Sequence, residues 1–314
     1  MFRSLIKILP VIIMFASCAA VYAAGTLNDG ETAYQNKDYA QAIAILAPLA
    51  AQGVPEAQNA MGEMSYFGFG MARDYAKAAK FFTGSAAQGN AWGEYWIGEL
   101  YFWGRGVPRN YLLAFCYLSQ ADAAGIFKAQ ARLGQMYYEG KGVPRNYKSA
   151  FRYLSKADAT GVLQATSLLG QMYCEGKGVI RDYDKAFALL SVSASADNAW
   201  GDYLFGDMYL NGNGTRQDYA KAMFYFQRSA AQKVAQAQTA IGTMYHDGLG
   251  VAKDYDKARY WYTLAAEQGN GWAQYLLGEM CFNGEGAPSN PGEARKWLRK
   301  AYAQGVMPAA AHLW

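Results

Sequence analysis

Histidine, cysteine and clustered charge are the scarce commodities of this 314-residue chain. There are two histidines, His246 and His312, and neither has a second ligand at the spacing of a zinc site. A serine–histidine–acid arrangement would need one of them beside an exposed nucleophile, and nothing in the sequence points to one. The only Ser-x-x-Lys, Ser4 to Lys7, falls in the N-terminal leader. The reading is therefore no enzyme, with no metal and no cofactor expected. Of four cysteines, Cys18 lies in the leader and Cys116, Cys174 and Cys281 are far apart in sequence. Three remaining thiols cannot all pair, and the distances implied exceed the roughly 7 Å that a disulfide spans. Charged residues make up 17% of the chain and the net charge is +4. With no Lys/Arg cluster the electrostatic footprint for nucleic acid is missing.

Long apolar runs are absent too, save one. Arg3 and Lys7 precede an apolar stretch from Ile8 to about Ala20 that Pro10 interrupts. That stretch falls short of the ~20 residues that span a bilayer. Val21-Tyr22-Ala23 then offers small residues where a signal peptidase cuts. Residues 1–24 thus read as an export signal. A second route stays open, because Phe15-Ala16-Ser17-Cys18 resembles a bacterial lipobox in which Cys18 would carry lipid. The expected location is the periplasm, the exterior, or a membrane reached only through lipidation of Cys18.

What the chain has in abundance is glycine at a fixed interval. Gly68, Gly104, Gly140, Gly176, Gly212, Gly248 and Gly284 recur every 36 residues, each followed two positions later by another glycine. A third register holds Gly62, Gly98, Gly134, Gly170, Gly206, Gly242 and Gly278, and a fourth is always alanine, from Ala78 to Ala294. A repeat of this length is the signature of a solenoid. In each unit a first helix with small and apolar residues on one face, such as Ala57, Met61 and Met64, ends at the first glycine of the pair. Asp74, Asn110, Asn146, Asp182, Asp218, Asp254 and Asn290 then stand where a second helix needs its N-cap. Glycine inside a helix costs about 1 kcal/mol relative to alanine, so the Gly62 register implies close approach of a neighbouring helix backbone. The Gly-x-Gly loops follow no strand and precede no Lys-Ser/Thr, so they read as helix ends rather than phosphate cradles. Arg73, Arg109, Arg145, Arg181, Arg216 and Lys253 beside them form a basic edge, read mainly as solvated.

The segment Leu133-Gly134-Gln135-Met136-Tyr137-Tyr138-Glu139-Gly140-Lys141-Gly142-Val143, followed by Asn146-Tyr147 and Ala150, resembles the Sel1-like repeat, a relative of the tetratricopeptide repeat. The resemblance implies an all-α, right-handed solenoid of helix–turn–helix units, with seven repeats over residues 55–306. Residues 25–54 lack the glycine loop and resemble a tetratricopeptide unit acting as an N-terminal cap, and residues 307–314 read as a truncated C-terminal capping helix. Proteins with these repeats are mostly adaptors. A cysteine-rich branch with a disulfide in each repeat is linked to β-lactam binding, and the paired cysteines are missing here.

One register suggests where a partner would bind. Glu56, Lys128, Gln164 and Gln236 alternate there with Trp92, Trp200 and Trp272. Each tryptophan heads a set at i, i+3 and i+7: Trp92, Tyr95, Glu99; Trp200, Tyr203, Asp207; Trp272, Tyr275, Glu279. In stacked helical hairpins the first helices line the concave surface, so the sets would form aromatic and acidic steps along a groove. Packing over the preceding unit's loop is the competing reading. The leading expectation is an exported adaptor that binds other proteins, in envelope signalling, complex assembly or host interaction. A binder of cell-wall glycan or peptidoglycan fragments is the alternative, and a hydrolase acting on β-lactams the remote one.

Overall fold

A computed structural model describes residues 25–312, with side chains to residue 310. The expected export signal over residues 1–24, and the alternative reading of Cys18 as a lipidation site, therefore lie outside the described residues. The described residues divide into two compact units that meet between Tyr153 and Leu154.

In the first unit the helices are α1 (Leu27–Gln35), α2 (Tyr39–Ala51), α3 (Pro55–Phe67), α4 (Tyr75–Ala86), α5 (Ala91–Trp103), α6 (Tyr111–Ala123) and α7 (Phe127–Glu139). Helix α8 (Tyr147–Asp158) contains the boundary. The second unit continues with α9 (Leu163–Glu175), α10 (Tyr183–Ser195), α11 (Ala199–Asn211), α12 (Tyr219–Ala231), α13 (Ala235–Asp247), α14 (Tyr255–Glu267), α15 (Gly271–Asn283) and α16 (Pro291–Ala303). A 3₁₀ helix, Met307–His312, packs on α16. The fold is all-helical, with helices packed in consecutive pairs. No helix among the described residues is long and apolar enough to cross a membrane.

Sequence dictates where each helix stops and starts. Gly68, at φ 79°, ends α3 in the left-handed conformation and its N–H returns to the Met64 carbonyl, and the same cap recurs to Gly284. The Asp/Asn register caps every second helix of the repeats: the Asp74 side chain accepts from the Lys77 N–H and Asn290 from the Glu293 N–H. Thr26 and Asp29 form a reciprocal capping box on α1. Helices α1 and α2 pair without a glycine loop, joined through Lys37 at φ 63°.

The mid-helix glycines have a somewhat different cause from the one expected. A Cβ on Gly242 would sit 2.5 Å from Cδ1 of Tyr262. The obstacle is thus first a large side chain of the paired second helix. The carbonyl of the register alanine comes next, 3.2 Å away in the case of Gly206 and Ala222. At Gly106, Gly142, Gly214 and Gly286 the second glycine of the loop answers to a backbone. A Cβ on Gly106 would lie 2.1 Å from the Tyr75 carbonyl oxygen, so this loop rests against the start of the preceding second helix.

Neighbouring first helices also touch one another, α1 with α3, α3 with α5, and α9 with α11. The cores are alanine, leucine, methionine and aromatic, with Ala114, Leu118, Leu133 and Met136 fully buried in the first unit and Ala222, Phe226, Ile241 and Met244 in the second.

Candidate protein-binding face

The three tryptophans head the first helices α5, α11 and α15, and each follows an asparagine cap that four of the other repeats lack. The Asn90 side chain accepts from the backbone N–H groups of Trp92 and Gly93, Asn198 from Gly201 and Asn270 from Ala273. Helices α3, α7, α9 and α13 begin instead at Val54, Ile126, Val162 and Val234 with no side-chain cap. Cap and tryptophan therefore come as a pair, fixing the indole's helix end. Each indole then meets the tyrosine one turn on. The ring centroids are 5.8 Å apart for Trp92–Tyr95, 5.0 Å for Trp200–Tyr203 and 5.9 Å for Trp272–Tyr275. The first set belongs to the first unit and the other two to the second.

The sets differ in what they leave open. Trp92 is 43% exposed and Trp272 56%, while Trp200 is half-buried. The difference lies in the residue 29 positions earlier. Trp200 Nε1 donates to Gln171 Oε1 at 3.2 Å, which draws the indole down. For Trp92 that residue is Glu63, whose oxygens already accept from Trp96 Nε1 at 2.9 Å and the Tyr34 hydroxyl at 2.7 Å. For Trp272 it is Thr243, whose hydroxyl is engaged with the Thr239 carbonyl and the Tyr262 hydroxyl.

The carboxylates at the third position also diverge. Glu99 is buried and accepts from Arg132 Nε at 2.6 Å and Nη2 at 2.8 Å. It is therefore a neutralised pair rather than an open acidic step. Burial opposes the charge of Arg132, and Glu99 outweighs that opposition, so the guanidinium pKa stands above its ordinary value. Asp207 is half-buried, accepts from Asn211 Nδ2 at 3.0 Å, and burial raises its pKa. Glu279 is half-buried. Desolvation lifts the Tyr203 hydroxyl to about 12 and raises Tyr95 and Tyr275 as well.

Two residues missed in the sequence complete this face in the first unit. Trp103, 46% exposed, stands on the same stripe of α5 as Trp92, Tyr95 and Glu99. Its Nε1 donates to Glu99 Oε2 at 3.2 Å. Arg132 stacks over it, 5.0 Å from the ring centroid, and also donates to Gln135. Lys128 Nζ lies 5.6 Å over the Trp92 ring. The signal was in the registers. Trp103 stands where later repeats carry Glu139, Glu175, Asn211, Asp247 and Asn283, and Arg132 where they carry Leu168, Leu204, Ala240 and Leu276. In the second unit Trp272 borders a cleft of about 420 Å³ whose other walls include Asn270, Gln304, Val306 and Met307.

Three side chains of His, Cys, Asp or Glu grouped to hold a metal ion do not occur among the described residues. Cys116 is exposed, Cys174 half-buried and Cys281 buried, and all three are free thiols.

The Sel1 repeat profile matches seven segments, residues 55–90, 93–125, 127–157, 163–198, 201–234, 235–270 and 273–306. These cover most of the sequence, and the chain belongs to the Sel1 repeat family. Among solved structures, a protective antigen present in uropathogenic Escherichia coli strains, displaying an SLR fold, is 31% identical over 97% of this chain, with a TM-score of 0.56. The chain spans 66% of that antigen's length. A Sel1 repeat protein from Oxalobacter formigenes is 27% identical over 75% of this chain and 94% of its own, with a TM-score of 0.64. No curated protein sequence matches the chain. The fold is thus a Sel1-repeat scaffold, a protein-interaction fold.

Proposed function

We propose that this chain is an exported adaptor that binds a protein partner on its first-helix face, through Trp92 and Trp103 of α5. The observation that carries the proposal is the pair of half-exposed indoles on one stripe of α5, Trp103 held on the buried Glu99–Arg132 pair and Trp92 against Tyr95. They stand eleven residues apart on one helix, hence about 16 Å along its axis. Tryptophan presents a large apolar area with one polar handle, and such residues dominate protein interfaces when the groups beneath them are rigid. Here the underlayer is rigid, because a bidentate ion pair ties α5 to α7. Glu56 and Lys128 flank Trp92 in the preceding and following repeats, giving a rim of mixed sign. A partner that lays two apolar side chains about 16 Å apart, with polar groups outside them, fits this face. The likeness to a protective antigen supports an exported setting, as does the leader sequence.

The test is affinity capture from cross-linked cell envelopes with three baits: the wild type, Trp92→Ala/Trp103→Ala, and Trp200→Ala. One protein held by the wild type and Trp200→Ala, and lost by the double variant with unchanged helical content, is the expected outcome. Retention of that protein by the double variant would return both indoles to packing.

A second reading rests on the cleft beside Trp272. Among the described residues no charged side chain borders it, and the carboxamides of Asn270 and Gln304 stand beside an open indole. That combination suits a neutral sugar ring, so saturable binding of soluble cell-wall fragments, abolished by Trp272→Ala, favours a glycan-binding role.

A further inference from the structure

We infer that the second-helix side of the first unit docks on an anionic lipid surface, with Leu112 and Leu113 of α6 as the apolar contact. The observation is a break in the repeat. At the two positions that open the second helices after their first residue, the other six repeats read Ala76-Lys77, Lys148-Ser149, Asp184-Lys185, Ala220-Lys221, Asp256-Lys257 and Gly292-Glu293. The α6 repeat alone reads Leu112-Leu113, and one turn further Cys116 stands where Lys80 and Arg152 stand in the repeats on either side. All three are open to solvent, Leu112 at 69% and Leu113 at 39%. Single exposed leucines are ordinary. Two adjacent exposed leucines, at positions that the other six repeats fill with small or polar residues, call for an occupant.

Charge identifies the occupant. Lys77 and Lys80 on α4, and Lys148 and Arg152 on α8, hold the equivalent positions on the flanking repeats, and all four are exposed. Arg73, Arg109 and Arg145 on the preceding loops are exposed as well. In the second unit the lysines at this edge are tied down: Lys185 to Asp182, Lys221 to Asp218 and Lys257 to Asp254. In α6 and α8 the capping residue is Asn110 or Asn146, which caps the helix without bringing a negative charge. The carboxylates on these three second helices and their caps are Asp74, which caps α4, half-buried Asp122 near the far end of α6 and half-buried Asp158 at the far end of α8.

An apolar spot of two leucines is too small to hold a protein partner, which needs roughly 800 Å² from each side. It is sufficient for shallow insertion when cations surround it, because each lysine or arginine near an anionic leaflet adds about as much as a buried methylene. The leucines supply depth and the cations supply selectivity for anionic headgroups. The opposite, first-helix side with Trp92 and Trp103 then remains free for a protein.

The experiment uses the chain freed of residues 1–24, which precede every helix of the described fold. Sedimentation is measured with phosphatidylcholine vesicles and with vesicles in which a third of the lipid is phosphatidylglycerol. Binding to the anionic vesicles only, and loss of that binding in high salt, is expected. Leu112→Asp/Leu113→Asp should lower the bound fraction by about tenfold. Leu112→Lys/Leu113→Lys keeps and adds positive charge, yet should also weaken binding several-fold, because insertion is removed. An environment-sensitive label on Cys116 should shift to the blue on binding. Equal binding to both vesicle types, no binding to either, or a Leu→Lys double variant that binds as well as the wild type would each overturn the inference.

Discussion

Arg132 reaches back 33 residues to grip both carboxylate oxygens of Glu99, at 2.6 and 2.8 Å, and both side chains are buried. The pair joins α7 to α5 beneath Trp103, so that indole rests on a charged but satisfied underlayer. A buried ion pair contributes little net stability compared with an apolar pair, but losing one partner strands the other.

Glu99→Gln should therefore lower the stability of the first unit by about 3 kcal/mol, since the Arg132 charge stays buried without its counterion. Arg132→Leu with Glu99→Met should recover most of that loss, because later repeats already place leucine in the Arg132 register. Urea denaturation followed by circular dichroism checks both. A Glu99→Gln variant as stable as the wild type would mean that the pair does not rigidify the face.

Gly242→Ala sets helix propensity against packing. Alanine should gain about 1 kcal/mol as a helix former, but its Cβ would stand 2.5 Å from the Tyr262 ring. Overpacking of this kind costs roughly 1–3 kcal/mol, so the thermal midpoint should fall. A rise in the midpoint would show that the ring moves aside freely.

Stability should decline with pH in two separate windows. Asp202 is buried on α11, and desolvation raises its carboxyl to about 6 against the pull of Arg228, 3.4 Å away. A raised acid stabilises the fold while protonated, so its contribution is present below about pH 4 and is lost as pH rises through about 6. Asp202→Asn should remove that decline and leave the variant more stable than the wild type at neutral pH. His246 is the second group. Burial lowers its pKa, but the bonds from its ring nitrogens to Asp247 and Glu285, 2.6 and 3.0 Å, outweigh burial and leave it above 6.5. Its stabilisation is complete below pH 6.5 and fades as pH rises through the folded value. Thermal midpoints from pH 4 to 8 for the wild type, Asp202→Asn and His246→Gln separate the two, and parallel curves for all three proteins would refute both assignments.

The helical architecture was legible because its punctuation is local. Left-handed glycine caps such as Gly68 and N-caps such as Asp74 depend only on neighbours a few residues away. The site was less legible because exposure depends on a residue about thirty positions off. Trp92, Trp200 and Trp272 share a register and an asparagine cap, yet Gln171 draws down one indole, while Glu63 and Thr243 are engaged elsewhere. Glu99 reads as an open acid until Arg132 is placed against it. The division between Tyr153 and Leu154 leaves no mark in composition, because it falls inside a helix of an ordinary repeat.

Site-specific photo-cross-linking in living cells tests the adaptor role most directly. A benzophenone side chain replaces Lys128, beside Trp92 on the first-helix face, or Lys148 on the second-helix side. The expected result is one discrete protein adduct from position 128, lost when Trp92 and Trp103 are also alanine, and none from position 148. A protein adduct from position 148 alone, or an adduct from 128 that survives loss of both indoles, would contradict a partner bound through α5.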